Sequence, residues 1–132
     1  MSKLDISNKK VLIFDDDEDI LSICTIVLED AGWQVITFLN CNDIVNKVMD
    51  LNPAIILMDN WIPDEGGIVA TQLLKKSADV NHIPVIYFSA NNAVSELAAQ
   101  AGADAYLAKP FDLGDLEEIV TQTVNTKRSH SV

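Results

Sequence analysis

Cysteine, histidine and basic side chains are all scarce in this chain: 2, 2 and 9 respectively among 132 residues. Cys24 and Cys41 lack metal-ligand spacing and are too few to staple a secreted scaffold, so a reducing compartment is the simpler expectation. His82 and His130 do not complete a metal site. Against the 9 basic residues stand 20 acidic ones, a net charge of -11 with no concentrated basic patch. Direct binding to nucleic acid or to an anionic membrane is therefore disfavoured, whereas a divalent cation or a basic partner is welcome. No apolar run approaches the ~20 residues of a membrane-spanning helix. The first ten residues, MSKLDISNKK, lack the apolar core of a signal peptide, and a cytoplasmic location is expected. Repeats, low-complexity tracts and internal linkers are missing too.

What the chain does have is a core. With 48% hydrophobic residues and a mean hydropathy of +0.17, it reads as one domain over 1–132, its core spanning about 10–125. The stretch Ala54-Ile55-Ile56-Leu57-Met58-Asp59 is the most telling. Its apolar residues run without polar alternation, between turn signals at Asn52-Pro53 and Pro63-Asp64-Glu65-Gly66-Gly67, as in a strand buried on both faces. Asp59 stands where that strand ends. A carboxylate there can be a turn or cap residue; other strands, however, also deliver a polar group at their carboxyl ends.

Val11 to Phe14 is a second apolar run, followed by Asp15-Asp16-Asp17-Glu18-Asp19. Ile20, Ile23 or Cys24, Val27 and Ala31 then recur at helical spacing up to Gly32. Gln34 to Leu39 has the alternation of a strand, Asn40 to Asn42 a turn, and Ile44, Val48 and Leu51 a helical stripe. After the Asp59 strand, a helix is expected from about Gly67 to Ser77 with Ala70, Leu73 and Leu74 inward. Pro84 to Phe88 forms a buried strand that delivers Ser89. Val94, Leu97, Ala98 and Ala101 mark a helix ended by Gly102. Ala105 to Ala108 is a short strand closed by Lys109-Pro110. The last helix starts near Asp112 or Leu113 with Leu116, Ile119 or Val120, and Val124 inward, and Thr126 to Val132 forms a flexible tail.

Strands alternating with helices through short connections call for a parallel sheet covered on both faces, a doubly wound α/β fold of five strands and five helices. In such a sheet all carboxyl ends lie along one edge, which brings together Asp15, Asp16, Asp17, Asp59, Ser89 and Lys109. Crowded carboxylates repel and raise one another's pKa unless a cation sits among them. An all-oxygen, water-accessible set suits Mg²⁺, with Mn²⁺ as an alternative. Lys109 adds a fixed positive charge.

From Val11 to about Val124 the chain resembles the response-regulator receiver domains of two-component signalling. The residues that carry the likeness are Asp15 and Asp16 in LIFDDDED, Asp59 in ILMDNWIPDEGG with Pro63 and Gly67 after it, Ser89 in IYFSA, and Lys109-Pro110-Phe111 in AYLAKPF. Each motif alone is weak; their order at successive strand ends is specific. The resemblance implies the flavodoxin-like strand order 2-1-3-4-5 and a phosphoryl-accepting switch. Asp59 would take a phosphoryl group from a phosphohistidine or small acyl phosphate. Asp15, Asp16, Asp59 and the backbone carbonyl of Trp61 would hold the metal. Lys109 and Ser89 would bind phosphoryl oxygens. Ser89 and Tyr106 would form the switch, acting on a surface made by the fourth helix, fifth strand and fifth helix. Tyr106 also fits an ordinary half-buried sheet position. Asp17 and Asp19 read as solvated loop acids or helix N-terminal charges. Glu18 replaces a proline found in many family members, a tolerated change since acids suit a helix start.

Trp61 and Asn91 are expected to slow the loss of phosphate, although Trp61 also fits a packing role. The implied partners are a sensor histidine kinase or histidine phosphotransfer protein and a downstream protein, and a phosphorylation-dependent homodimer is compatible. Apart from its self-catalysed phosphotransfer and autodephosphorylation, the domain is not expected to be an enzyme. No effector segment is visible after the last expected helix, so the chain is expected to be either a stand-alone receiver, which the Met1 start favours, or a piece of a hybrid kinase or larger regulator. A haloacid-dehalogenase-type phosphatase is the main rival, with Asp15 as nucleophile and Asp17 as acid, but it leaves Asp59 without a role. A flavodoxin-like cofactor module would need a phosphate loop where Asp15 to Asp19 stand. A non-phosphorylated receiver-like binding module would have no need of the filled acceptor site.

Overall fold

The chain from Lys10 to Phe14 (β1) is buried almost throughout, as a run of branched and aromatic residues should be when covered on both faces. The computed structural model describes residues 8–60, 66–89, 93–109 and 111–130. Among them β1 is followed by α1 (Glu18–Asp30), β2 (Gln34–Phe38), α2 (Ile44–Leu51), β3 (Ile55–Asp59), α3 (Gly66–Lys76), β4 (Val85–Ser89), α4 (Val94–Ala101), β5 (Ala105–Ala108) and α5 (Leu113–His130). All pairings are parallel and the order is β2-β1-β3-β4-β5, the arrangement implied by the resemblance.

Alternation along the strands divides the core into two layers. Leu12, Phe14, Ile56, Met58, Val85 and Tyr87 pack with α2, α3 and α4 on one face. Val11, Ile13, Ile55, Leu57, Ile86 and Phe88 pack with α1 and α5 on the other. The central strands β3 and β4 are buried at every position, whereas the edge strands β2 and β5 are only partly covered.

The scarce lysines are placed where they tie elements together. Lys10 Nζ donates to the Leu51 carbonyl at 2.8 Å, at the carbonyl-rich end of α2. Lys75 Nζ donates to Asp104 Oδ2 at 2.7 Å, and the same oxygen receives the Val85 N–H at 2.8 Å. Gly102 ends α4 with φ of 84°, a left-handed conformation in which a Cβ would be strained.

Several helix faces differ from the expectation. Leu73 was expected inward and is 41% exposed, because the inward stripe of α3 is Gly67, Ala70, Thr71 and Leu74. On α1 the fully covered residues are Leu21, Cys24 and Leu28; Ile20, Val27 and Ala31 flank them, and Ile23 faces out. The α5 stripe is as expected: of the two candidates Val120 is the deeply buried one, and Ile119 is partly buried beside it. Helix α5 continues to His130, past Thr126, where the tail was expected to start. No helix of the described residues is long and apolar enough to cross a membrane.

Candidate functional site

The strand order reverses at β1, which lies between β2 and β3, so a crevice opens between the carboxyl ends of β1 and β3. Register places Phe14 beside Met58, so Asp15 and Asp59 follow side by side. Asp15 continues the alternation of Val11 and Ile13, Asp59 that of Ile55 and Leu57, and Lys109 that of Ala105 and Leu107, all on the α1/α5 face. That shared parity is why three residues from three strands can meet.

They do meet. Lys109 Nζ lies 2.7 Å from Asp59 Oδ1 and 2.9 Å from Asp15 Oδ2. It also stands 4.7 Å from the ring centroid of Phe88, a cation–π contact on its inner side. Asp15, Asp59 and Ser89 are buried, and Asp16 is exposed beside them. Carboxylate oxygens of Asp15, Asp16 and Asp59 all lie within 4.8 Å of one another. The Lys109 N–H donates to the Ser89 carbonyl at 2.9 Å, which locks the end of β5 to the residue that β4 delivers.

Burial raises the Asp15 pKa above its ordinary 3.8, outweighing the Asp17 N–H and Lys109, while the Asp16 charge adds to the rise. Burial opposes the charge of Lys109 as well, but the bonds to Asp59 and then Asp15 prevail and hold its pKa above 10.5. The two shifts fit together because one ammonium draws on two carboxylates, whereas Asp15 has only a share of one ammonium. Cys24 lies close enough for burial, and then the Asp15 charge, to push its thiol up to about 12 against the pull of Lys109. It is an inert core thiol.

Asp17 has another job. Its carboxylate caps α1, accepting the N–H groups of Asp19 at 3.0 Å and Ile20 at 3.4 Å. A dehalogenase-type acid at that position is therefore not supported. Gly67 approaches Asp59 so closely that a Cβ would stand 2.0 Å from the Asp59 carbonyl oxygen. Tyr106 is 49% exposed on the outer side of β5, where it lines a cavity of about 520 Å³ with Pro84, Asp104, Ile119, Gln122 and Thr123. Trp61, Pro63, Asn91 and Pro110 lie outside the described residues.

Two residues that sequence patterning passes over join the site. Tyr87 is wholly buried and its hydroxyl donates to the side-chain oxygen of Asn60, the residue after Asp59. Burial, and then the Asp59 charge, push its phenol up to about 12. The available signal was a tyrosine inside an otherwise apolar strand, since a buried phenol needs a partner.

Residues 11–121 match the response regulator receiver domain family, and the chain belongs to that family. It is 33% identical over 113 residues to the transcriptional regulatory protein PrrA of Mycobacterium leprae, covering 84% of this chain and 48% of that protein. It is 30% identical to the polar-differentiation response regulator DivK of Brucella anthropi, over 80% of this chain and 87% of DivK. Among solved structures, it resembles the receiver domain of the sensor histidine kinase PA1611 from Pseudomonas aeruginosa. That likeness has a TM-score of 0.81 at 26% identity, over 89% of this chain and 98% of the other, and the PA1611 domain holds a magnesium ion in its active site cleft. The chain spans less than half the length of several curated relatives that it matches, PrrA at 48% among them.

Proposed function

We propose that this receiver domain is a phosphoryl-accepting switch in which Asp59 is the acceptor. An Asp59 carboxylate oxygen attacks the phosphorus of a phosphohistidine, the P–N bond breaks, the imidazole leaves with its electron pair and takes up a proton, and an aspartyl phosphate remains. Lys109, already on Asp59, orients that carboxylate and then binds a phosphoryl oxygen by a charge-assisted hydrogen bond. The Ser89 hydroxyl donates to another.

The oxygen set of Asp15, Asp16 and Asp59 fits a divalent cation, because three carboxylates crowd together while Lys109 pairs with only two of them, and burial already raises the pKa of Asp15. These residues, with the Trp61 carbonyl, would hold Mg²⁺ or Mn²⁺. When bound, the ion neutralises charge on the transferring group. Trp61 and Asn91 would limit the access of water and so slow dephosphorylation.

The donor would be a sensor histidine kinase or histidine phosphotransfer protein in the cytoplasm. Ser89 moving toward the phosphoryl group would let Tyr106 turn inward from its exposed position, altering the surface of α4, β5 and α5. That surface would engage a downstream protein or a second phosphorylated copy.

One observation carries this reading: Lys109 Nζ bridges the Asp59 and Asp15 carboxylates at the carboxyl edge of the sheet. Its test is intact-mass measurement after incubation with acetyl phosphate and Mg²⁺. The native chain should gain one phosphoryl group and Asp59→Asn none; labelling of both alike would overturn the assignment.

A further inference from the structure

We propose that Tyr87 is a positioning residue for phosphoryl transfer, acting through Asn60; this deepens the receiver reading and rests on it. Tyr87 sits at the centre of β4, with Met58 of β3 and Tyr106 of β5 as its register partners. The other core residues of the strand, Val85, Ile86 and Phe88, are apolar, and a phenylalanine would fill the same space. The hydroxyl is thus extra to packing, and burying it without a partner would be unfavourable. Its partner is the Asn60 side-chain oxygen.

Asn60 is held at three points. Its N–H donates to the Phe88 carbonyl at 3.2 Å, its carbonyl accepts the Gly67 N–H at 3.2 Å, and its side chain accepts the Tyr87 hydroxyl. The strand ladder would secure only the first. With all three made, the peptide following Asp59 cannot rotate without breaking a bond at the core boundary. Backbone immediately beyond the acceptor is therefore set before a donor arrives, which is the condition for a carboxylate to be aimed in line and for neighbouring oxygens to converge. Tyr87 also places this constraint on the strand that ends in Ser89, so the acceptor turn and the hydroxyl donor are tied to one element.

The test is Tyr87→Phe, which keeps the ring and removes the bond, compared with Asn60→Ala and the double variant. Three quantities are read: acetyl phosphate labelling as a function of Mg²⁺ concentration, hydrogen exchange at the Gly67 amide in metal-free protein, and the thermal midpoint. The half-saturating Mg²⁺ concentration should rise and Gly67 exchange should quicken, each about five-fold in either single variant, a size set by the loss of one net hydrogen bond. The double variant should be no worse than the worse single one. A lower midpoint with native Mg²⁺ dependence and native Gly67 exchange would reduce Tyr87 to a packing residue and overturn the proposal. If the native chain itself takes no label, the receiver reading falls instead, and Gly67 exchange in metal-free protein still decides whether Tyr87 holds the turn.

Discussion

Lys109 and Asp59, 50 residues apart in the chain, meet at 2.7 Å with the lysine side chain 16% exposed and the aspartate 5%. Neither charge could be buried alone. Each makes the other tolerable, and both are thereby held at the carboxyl edge of the sheet.

Lys109→Met removes the cation and keeps much of the volume. It leaves Asp15 and Asp59 buried without the ammonium they share, a change worth roughly 3–5 kcal/mol when a buried pair is broken. Urea denaturation of metal-free protein should show that loss, with partial recovery on adding Mg²⁺, and labelling of Asp59 should fall. A loss under about 1 kcal/mol would mean that water already screens the pair.

Asp15→Asn tests the electrostatic burden of the site. The folded-state pKa of Asp15 is raised above 3.8, so between those values the folded protein binds a proton that the unfolded chain releases. Stability therefore declines as pH rises through that window and stays lower at neutral pH. The variant, without the charge, should melt a few degrees higher at pH 7 in the absence of metal, converge with the native protein below the window, and bind Mg²⁺ at least about ten-fold more weakly. Calorimetric melts across pH check the first two outcomes and titration calorimetry the third.

Gly67→Ala would force the start of α3 away from Asp59, because the added carbon falls 2.0 Å from a backbone oxygen. A loss of about 1–3 kcal/mol and slower labelling are expected. Gly114→Ala on α5 is the control: its added carbon meets nothing within 4 Å, and it should stabilise by up to about 1 kcal/mol without touching the labelling rate.

Thr71→Val addresses a buried hydroxyl with no hydrogen-bond partner among the described residues. Replacing it by a methyl of similar shape should stabilise the fold by about 1 kcal/mol, measured as a higher urea midpoint at unchanged slope. A destabilised variant would point to a partner for the Thr71 oxygen.

The strands were legible in the amino-acid order because β3 and β4 are buried on both faces, and only an unbroken apolar run survives there. Their parallel pairing followed from the alternation with helices, and it alone brought Asp15, Asp59, Ser89 and Lys109 to one rim. Helix faces were less legible. On α3 Ala70 and Leu74 are buried as expected, but a hydroxyl at Thr71 lies in the stripe and an apolar Leu73 lies out of it, so hydrophobicity alone misplaced one position. What no linear pattern could reveal is which atoms share a proton or a bond across strands. That Lys109 divides itself between Asp59 and Asp15, that burial outweighs its help to Asp15, and that Tyr87 reaches Asn60 depend on angstrom-scale separations between side chains of different strands. Local order dictates period and polarity, but electrostatic and hydrogen-bond energies depend on through-space distance and exclusion of water, and these exist only once the sheet has closed its layers around them.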